Sequence, residues 1–368
     1  MAKRPFFRAD QVGSLLRPPS VQAARRRWRN GEIGRDELRA AENEAIGEMV
    51  RRQEEIGLLS VTDGEVRREN WWIDFARAIP GISIEQPAVS ESFAGNRHVP
   101  LNVTARERIV WREPVMAADF RDLAALTKVT PKITIPSPSR LHFHAGDGVA
   151  DPAAYPDIDA FWSDVVAFYR AEIRALEEAG CRYIQLDDPV MSYFVDPRHR
   201  AHMQERGLDP DTTLSRYVEV INQAIAERRD DTLLSLHICR GNARSSWVAS
   251  GGYDAIADLV FPTLKVDALF LEFDDDRSGD FGPLKKTDGQ KIMLGLLTTK
   301  TGALEDRDLI LRRIDEASAV MPLEWLAVSP QCGFASTEEG NVLTEEDQWK
   351  KLKLCVDLAC EVWGRIDG

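Results

Sequence analysis

The stretch Leu233-Leu-Ser-Leu-His-Ile-Cys239 has the composition of a buried β-strand and ends in two side chains that commonly bind metals. Residues two apart on a strand point to the same face, so His237 and Cys239 can approach one ion. Two more such residues, Glu272 and Cys332, follow later strand-like runs. Zinc favours His nitrogen and Cys sulfur and accepts a carboxylate as a further ligand. The sequence therefore predicts a zinc site formed by these four side chains.

Strand-like runs alternate with helix-like runs along almost the whole chain, which predicts a parallel sheet with helical crossovers. The strand-like runs are Phe7–Val12, Leu58–Thr62, Lys132–Ile135, Tyr183–Leu186, Leu233–Ile238, Ala268–Leu271, Lys291–Leu297 and Leu326–Ser329. Helical periodicity is strongest at 35–56, 158–179, 212–229, 304–319 and 344–363. Eight strands in this order predict an α/β fold, a (β/α)8 TIM barrel with residues 1–368 as a single domain.

Two intervals depart from this alternation. Residues 70–130 are too long for one crossover, and we expect an insertion after the second strand. Trp71 and Trp72 at its start are interpreted as core residues. The stretch Asp274–Gln290 is short, charged and interrupted by Gly and Pro, so its helix should be reduced.

Composition limits the cellular setting and the partners. No apolar run is long enough to span a bilayer, and the first ten residues lack a signal-peptide core, so we expect a cytoplasmic protein without membrane contact. Five cysteines in 368 residues are too few for a disulfide framework. Cys181, Cys355 and Cys360 are interpreted as core residues. The net charge of -13 argues against nucleic acid as a partner.

Polar residues follow all eight predicted strands, where catalytic groups lie in barrels of this kind. They are Gly13-Ser14, Asp63-Gly-Glu65, Ser137 and Ser139, Asp187-Asp188, His237 and Cys239, Glu272, Thr298–Lys300, and Cys332. Asp188 precedes Pro189 and suits a helix cap, which leaves Asp187 for ligand binding. Glu65 either pairs with a neighbouring arginine or anchors a substrate ammonium group.

A histidine two residues from a cysteine is, alone, more typical of a half-buried core than of a metal site. The further ligands Glu272 and Cys332 reverse that interpretation. Structural zinc sites usually gather ligands from short loops such as C-x2-C, and the sequence has none. Ligands from three strand ends suit a catalytic site with an exchangeable position.

These residues, taken with Val12-Gly-Ser14, Asp63-Gly-Glu65 and Ile184-Gln-Leu-Asp-Asp-Pro189, resemble the catalytic C-terminal barrel of cobalamin-independent methionine synthase. The resemblance covers nearly the whole chain and looks closest to the short, single-barrel relatives, which carry His-x-Cys-Arg-Gly-Asn as in His237–Asn242. The first-half barrel of the full-length enzyme has no counterpart in the sequence.

The resemblance implies a zinc-dependent methyltransferase of methionine biosynthesis that acts on homocysteine or a related thiol. It implies zinc on His237, Cys239, Glu272 and Cys332. It also implies a thiol substrate whose ammonium meets Glu65 and Asp187 and whose carboxylate lies near Gly13-Ser14. The expected partners are this small thiol and a methyl donor, and self-association into a homo-oligomer is left open.

Two departures from the family bear on the donor. The family carries a folate-stacking Trp after the third strand, where this chain has Ile135-Pro-Ser-Pro-Ser139. It also has a catalytic His after the seventh strand, where Lys300 would supply positive charge or a proton. We expect weak or no use of methyl-folate polyglutamate and better use of another donor, such as a methylated corrinoid or a small methylated amine or sulfonium compound. Alternatively, Phe143 or a Trp from the 70–130 interval folds over the site and restores the aromatic face.

Other functions are compatible with a zinc site. The nearest is epoxide opening by a zinc-bound thiolate, which would not need an amino-acid pocket. A zinc hydrolase fits less well, because two thiolate ligands make the metal a weaker Lewis acid. Zinc as a purely structural element is disfavoured because a barrel of this size needs none.

Overall fold

The computed structural model describes residues 4–85, 91–93, 96–98 and 101–367. Its strands are β1 (Ser60–Val61), β2 (Ile82–Glu85), β3 (Glu91–Phe93), β4 (Asn96–His98), β5 (Asn102–Ala105), β6 (Thr130–Pro131), β7 (Ile133–Pro136), β8 (Tyr183–Asp187), β9 (Leu233–Ile238), β10 (Ala268–Glu272), β11 (Lys291–Leu297) and β12 (Leu326–Pro330). The α-helices are α1 (Pro19–Arg29), α2 (Arg35–Glu55), α3 (Ile73–Arg77), α4 (Ala117–Leu126), α5 (Ser139–His142), α6 (Ile158–Glu178), α7 (Val190–Tyr193), α8 (Pro197–Glu205), α9 (Pro210–Ile225), α10 (Asp254–Val260), α11 (Arg307–Ser318) and α12 (Glu345–Trp363). Turns of 3₁₀-helix lie at Gly146–Val149, Asp276–Ser278, Gly282–Lys286 and Leu323–Trp325.

A parallel sheet forms the centre of the molecule. Its six strands run in the order β12-β11-β10-β9-β8-β7, and β1 and β6 form a second, two-stranded parallel sheet. Strands β7 to β10 and β12 are buried throughout, as expected for a parallel sheet covered on both faces. The alternation of strands and helices therefore confirms the α/β class. The register places Asp187 opposite His237, which brings two predicted site residues together.

The later strands match the sequence prediction closely. Strands β9 and β11 have the predicted bounds, and β8, β10 and β12 extend one residue further. The predicted strand Lys132–Ile135 corresponds to β7, which begins and ends one residue later, and the separate strand β6 precedes it. The long runs of Val, Ile and Leu in these segments explain the agreement, because a strand buried on both faces has a strong apolar signal.

The predicted first strand, Phe7–Val12, is wrong as a continuous strand. Only isolated bridges form there, from Phe7 to Asp367 and from Ala9 to Val328. The Asp10 side chain accepts the backbone N–H of Gln11 at 2.7 Å, which removes that donor from any strand pairing. A side-chain carboxylate thus replaces the ladder at the point where the strand would continue.

The second strand is shortened for a similar reason. The predicted run Leu58–Thr62 contains only β1, and the side-chain amide of Gln53 bonds both backbone groups of Thr62, at 2.9 Å and 3.0 Å. The Thr62 hydroxyl in turn donates to the carbonyl of Gly13 at 2.6 Å. Side chains therefore link β1 to the first segment of the chain.

The interval 70–130 contains short elements rather than one crossover helix. Helix α3 and helix α4 enclose an antiparallel pair, β2 with β5, and a hairpin, β3 with β4. Residues 86–90, 94–95 and 99–100 of the predicted insertion lie outside the described residues. In Asp274–Gln290 the only helical segments are 3₁₀ turns, so the predicted reduction of that helix is confirmed.

Side-chain caps explain where several long helices begin. Asp157, Asp209 and Asp306 accept backbone N–H groups at the starts of α6, α9 and α11, and Thr344 forms a capping box with Asp347 at α12. None of the helices in the described part of the chain is both long and apolar enough to cross a membrane. Cys181 and Cys355 are buried as predicted, but Cys360 is exposed on α12 and its assignment to the core is wrong.

Candidate metal centre and adjoining cavity

The four predicted metal ligands meet at one place. One ligand atom from each of His237, Cys239, Glu272 and Cys332 lies within 4.8 Å of those of the other three, and all four residues are buried. His237 belongs to β9 and Glu272 ends β10, while the two cysteines follow β9 and β12. Parallel strands that end at the same edge of the sheet account for this convergence of residues distant in sequence.

The donor set fits a zinc ion. In a tetrahedral site with bonds of about 2.0–2.3 Å, the donors lie roughly 3.3–3.8 Å apart. The two sulfur atoms are 3.4 Å apart, and the 4.8 Å spread of the whole set needs only small side-chain rotations to close. Two sulfurs, one imidazole and one carboxylate are ligands of the softness that zinc prefers.

Neighbouring groups orient these ligands. The backbone N–H of Arg240 donates to Glu272 Oε1 at 2.9 Å, and the N–H of Gly241 donates to Cys239 Sγ at 3.2 Å. The imidazole of His237 has Asp187 Oδ1 at 3.4 Å from Nδ1 and the carbonyl oxygen of Gln331 at 3.2 Å from Nε2. Hydrogen bonds of this kind fix the rotamers of metal ligands in advance of binding.

The same proximity redistributes protons. Burial disfavours the charged imidazole, but Asp187, Cys332 and Glu272 outweigh it and raise the pKa of His237 to about 9. Contact with Cys332 and then burial raise the pKa of Cys239, and the same contact lowers the pKa of Cys332. Metal ligands must be deprotonated, so an ion that binds here would displace protons from His237 and Cys239.

A cavity of about 600 Å³ adjoins the cluster. His237, Cys239 and Cys332 line it, and so do the predicted substrate residues Ser14, Glu65 and Asp187. Six of the nine predicted site residues therefore face one space. Glu272, Gly13 and Lys300 are not among the lining residues.

Glu65 is held in an unusual conformation at the wall of this cavity. Its φ of 54° lies in the left-handed region, which is costly for a residue with a side chain. Oε1 accepts a hydrogen bond from Thr134 Oγ1 at 2.8 Å and lies 3.6 Å from Arg68 Nη1. Oε2 is buried without a hydrogen-bond partner among the described residues. The predicted pairing with a neighbouring arginine is therefore present, while the role of Glu65 as an anchor for a substrate ammonium stays a prediction.

Asp187 adds a second carboxylate to the same wall. Gln185 Nε2 donates to Asp187 Oδ1 at 2.7 Å, which fixes the carboxylate beside His237. Burial and then the negative charge of Asp187 raise the pKa of Glu65, although Arg68 and Arg17 oppose this shift. Asp188 instead accepts hydrogen bonds from Ser139 Oγ at 2.7 Å and from the N–H of Met191 at 3.0 Å, in keeping with its predicted capping role.

Two glycines allow the loops of the site to approach closely. A Cβ on Gly13, whose φ is 149°, would lie 2.6 Å from Thr134 Cγ2, and a Cβ on Gly333 would lie 2.0 Å from Ser14 Oγ. Gly333 was not among the predicted site residues. A glycine directly after a candidate metal-binding residue at a strand end is nevertheless a signal of close backbone approach.

Lys300 follows β11 and is not among the residues that line the cavity. Its Nζ is buried and has no hydrogen-bond partner in the part of the chain that the structure describes. Although burial favours the protonated form of Glu272, Lys300 and Arg240 hold the pKa of that carboxyl below its usual value. Lys300 therefore favours the ionised form of Glu272.

Aromatic side chains line the outer part of the cavity. Trp71, Trp72, Phe143 and Tyr193 belong to its wall, and the rings of Phe143 and Tyr193 are stacked with centroids 4.8 Å apart. Trp72 is buried and packs in the core as predicted, but it also presents a face to the cavity. The alternative in which Phe143 or a Trp supplies an aromatic face is therefore compatible with the structure.

The profile of the family described as "Cobalamin-independent synthase, Catalytic domain" matches residues 7–360. The chain belongs to this family. A Bacillus subtilis member, the uncharacterized protein YxjH, is 44% identical over 360 residues, which are 97% of this chain and 95% of the relative. The methionine synthase of Pyrococcus abyssi is 25% identical over 331 residues, 90% of this chain and 87% of that enzyme.

Solved structures of family members agree with the fold. A protein from Listeria monocytogenes, provisionally named a vitamin-B12 independent methionine synthase, superposes with a TM-score of 0.77 at 34% identity and covers 99% of this chain and 100% of its own. Membership of the family thus confirms the resemblance seen in the sequence and supports a methionine synthase-like methyltransferase.

Proposed function

We propose that this family member is a zinc-dependent methyltransferase that methylates homocysteine or a closely related amino thiol. One observation carries the proposal: a single cavity is lined by two cysteines and a histidine and also by two buried carboxylates. The first group suits a metal that binds sulfur, and the second suits an ammonium. A small molecule that carries both groups is an amino thiol.

Zinc would be held by His237, Cys239, Glu272 and Cys332. When bound, zinc holds a substrate thiol as the nucleophilic thiolate at neutral pH. With two thiolates, one carboxylate and a neutral imidazole, the ligands and the ion sum to a charge of -1. The buried ammonium of Lys300 compensates this charge electrostatically, and its place outside the cavity lining favours that role over proton donation.

Glu65 and Asp187 would bind the ammonium of the substrate. Oε2 of Glu65 is a buried carboxyl oxygen without a partner among the described residues, and such a group costs free energy until a ligand donates to it. Asp187 also fixes His237, so the two halves of the site are joined by one side chain. Ser14, which lines the cavity, and the adjacent Gly13 would contact the substrate carboxylate.

The name of the Pyrococcus abyssi relative, methionine synthase, supports homocysteine as the acceptor. The alternative of an epoxide-opening thiol transferase requires the same metal but no ammonium site. The buried pair of carboxylates therefore favours the amino-acid acceptor.

The test is a comparison of homocysteine with 4-mercaptobutyrate, which has the same chain without the amino group. We expect purified protein to hold about one zinc per chain by metal analysis, because four ligands converge. With a panel of folate, corrinoid, amine and sulfonium methyl donors, kcat/KM should favour homocysteine by at least about 100-fold, since the thiol without the amino group leaves both carboxylates unpaired. Equal use of the two thiols would overturn the amino-acid pocket and favour the epoxide-type function.

We also propose that residues 1–368 form one (β/α)8 barrel in which the first segment closes the sheet between β12 and β1, with the interval 70–130 as an insertion. The Ala9–Val328 bridge and the hydrogen bond from Thr62 to Gly13 support this closure. A crystal structure in which residues 8–12 pair with neither neighbour would contradict it.

A further inference from the structure

Arg140 is a buried cation that forms no ion pair with the described residues. The residue is 8% exposed and lies in α5, directly after β7. Its guanidinium carbon is 3.7 Å from the ring centroid of Trp72, so one face of the cation rests on an aromatic ring. Nη1 is buried without a hydrogen-bond partner, and no ion pair within 4.0 Å involves Arg140 among the described residues.

Two other buried arginines, Arg17 and Arg240, also form no ion pair within 4.0 Å with the described residues, and each keeps a buried Nε without a partner. They differ from Arg140 in that their terminal nitrogens donate hydrogen bonds within the fold. Arg17 donates to the carbonyl oxygens of Leu15, Glu65, Arg68 and Ala335. Arg240 donates to the Tyr253 hydroxyl at 2.8 Å and to the carbonyl of Gly251 at 2.7 Å. These two guanidinium groups are anchored by the fold, whereas that of Arg140 is positioned by stacking and keeps donors available.

The nearby acidic side chain is already engaged. Asp188 accepts hydrogen bonds from Ser139 and from the backbone of Met191. Its negative charge raises the pKa of Arg140, but burial lowers that pKa by more. Burial lowers the pKa of Arg140 to about 10, so the group stays charged at neutral pH. A charged, stacked guanidinium in the wall of a cavity matches the geometry of a planar oxyanion.

We propose that Arg140 binds an oxyanion group, most simply a carboxylate, of the methyl donor that occupies the outer part of the cavity. The assignment to the donor rests on the proposed function, in which the acceptor's own carboxylate is taken by Gly13-Ser14. Arg206 lines the same region, with one nitrogen bonded to the carbonyl of His144 at 2.7 Å. Two cations and stacked aromatic rings therefore surround the space into which the donor would fit.

The test uses matched pairs of donors that differ in a carboxylate-bearing group: 5-methyltetrahydrofolate monoglutamate with 5-methyltetrahydropterin, and glycine betaine with choline. Dissociation constants are measured by titration calorimetry on the zinc-loaded full chain, without homocysteine and without turnover. We expect wild type to prefer the carboxylated member of at least one pair by about tenfold or more, as for a hydrogen bond to a charged group. Added salt should reduce this preference.

Variants assign the preference to this residue. Arg140→Gln should abolish the preference for the carboxylated donor. Arg140→Lys should keep only part of this preference, because an ammonium cannot donate the two parallel hydrogen bonds of a planar guanidinium. The matched control is Arg216→Gln, an exposed arginine paired with Asp159 outside the cavity lining, which should leave the preference unchanged.

Each outcome decides the proposal. No preference in wild type for either pair, or an unchanged preference in a folded Arg140→Gln protein, would overturn it. If a thermal melt shows that this variant is unfolded, the decision rests on the wild-type ratios of dissociation constants within each donor pair and on their salt dependence. Because the titration needs neither thiol nor methyl transfer, a failed methylation assay would count against the proposed function alone.

Discussion

Two buried charged clusters in this molecule differ in how completely their atoms are paired. In the first, Lys132 lies 3.4 Å from Asp10, donates to the carbonyl of Gln11, and has its ammonium over the ring of Phe270 at 4.2 Å. The Tyr183 hydroxyl donates to the other oxygen of Asp10 at 2.6 Å. This cluster is closed, because its charged ends are matched by groups of the same chain.

The second cluster, at the carboxyl ends of the strands, is open. Glu65 Oε2, Lys300 Nζ and Arg140 Nη1 are all buried there without hydrogen-bond partners in the described residues. An unpaired buried polar atom costs about 1–3 kcal/mol, and more when charged, so folding alone does not favour such an arrangement. The comparison teaches that a buried charge paired within the chain supports the fold, whereas unpaired charged atoms of residues that line a cavity, such as Glu65 and Arg140, are candidates for contact with a ligand.

The largest expected effect is loss of the metal from the open cluster. Cys239→Ser or Cys332→Ser removes a thiolate ligand, and zinc content should fall from about one per chain to a small fraction, with loss of activity. Metal analysis and a thiol methylation assay measure both. Cys360→Ser, at an exposed cysteine on α12, is the matched control. A serine variant with full zinc and full activity would show that the four residues are not the ligands.

The closed cluster should respond in stability instead. Lys132→Met leaves Asp10 buried beside an apolar group, and removal of one partner of a buried pair costs about 3–5 kcal/mol. Urea unfolding should show this loss, while the zinc content of the folded protein stays near wild type. Lys350→Met, at an exposed lysine of α12, should change the free energy of unfolding little. A Lys132→Met protein as stable as wild type would break the comparison.

Substitution of a carboxylate in the open cluster should affect substrate more than stability. Glu65→Gln and Asp187→Asn each remove one charge facing the ammonium, and the apparent KM for homocysteine should rise about 10- to 100-fold. Steady-state kinetics give the KM, and urea unfolding gives the stability of the same preparations. Glu178→Gln, at an exposed glutamate of α6, should change neither. If the variants lost as much free energy of unfolding as they lost in substrate binding free energy, the carboxylates would have a structural role instead.

The smallest effect concerns pH. Burial and Asp187 raise the pKa of Glu65 above its unfolded value, so its ionisation disfavours the folded state as pH rises above about 4.3. Glu65→Gln should therefore be as stable as wild type at pH 4 and gain relative stability toward neutral pH, by an amount near the typical mutational scale of about 1 kcal/mol. Urea unfolding across this pH range tests the sign. The prediction would be contradicted if the free energy of unfolding of the wild type increased relative to that of the variant as pH rises.

The convergence of the four candidate ligands could be predicted from the sequence because each belongs to a strong local signal. His237, Cys239, Glu272 and Cys332 lie at or after the ends of apolar, strand-like runs, and the ends of parallel strands meet. The first strand could not be predicted correctly, since the bond from the Gln11 N–H to the Asp10 side chain competes with strand pairing and depends on local geometry.

The contacts in the outer part of the cavity could not be predicted from the sequence. Arg140 and Trp72 are 68 positions apart and belong to different elements, so no spacing rule relates them. The direction of the Lys300 side chain could not be derived either, because a residue at a strand end can face the cavity or the protein behind it. The use of methyl-folate polyglutamate, expected to be weak, stays a prediction.

The contact between Gly333 and Ser14 has a consequence for the order of assembly. The backbone N–H of Phe334 donates to the carbonyl of Ser14 at 2.8 Å, so the loop that follows Cys332 rests on the first loop of the chain. Cys332 can reach the other candidate ligands only after the last strand, β12, has docked beside β11. A metal held by all four side chains would therefore bind late in folding. The time course of metal uptake during refolding would then report when the native structure is complete.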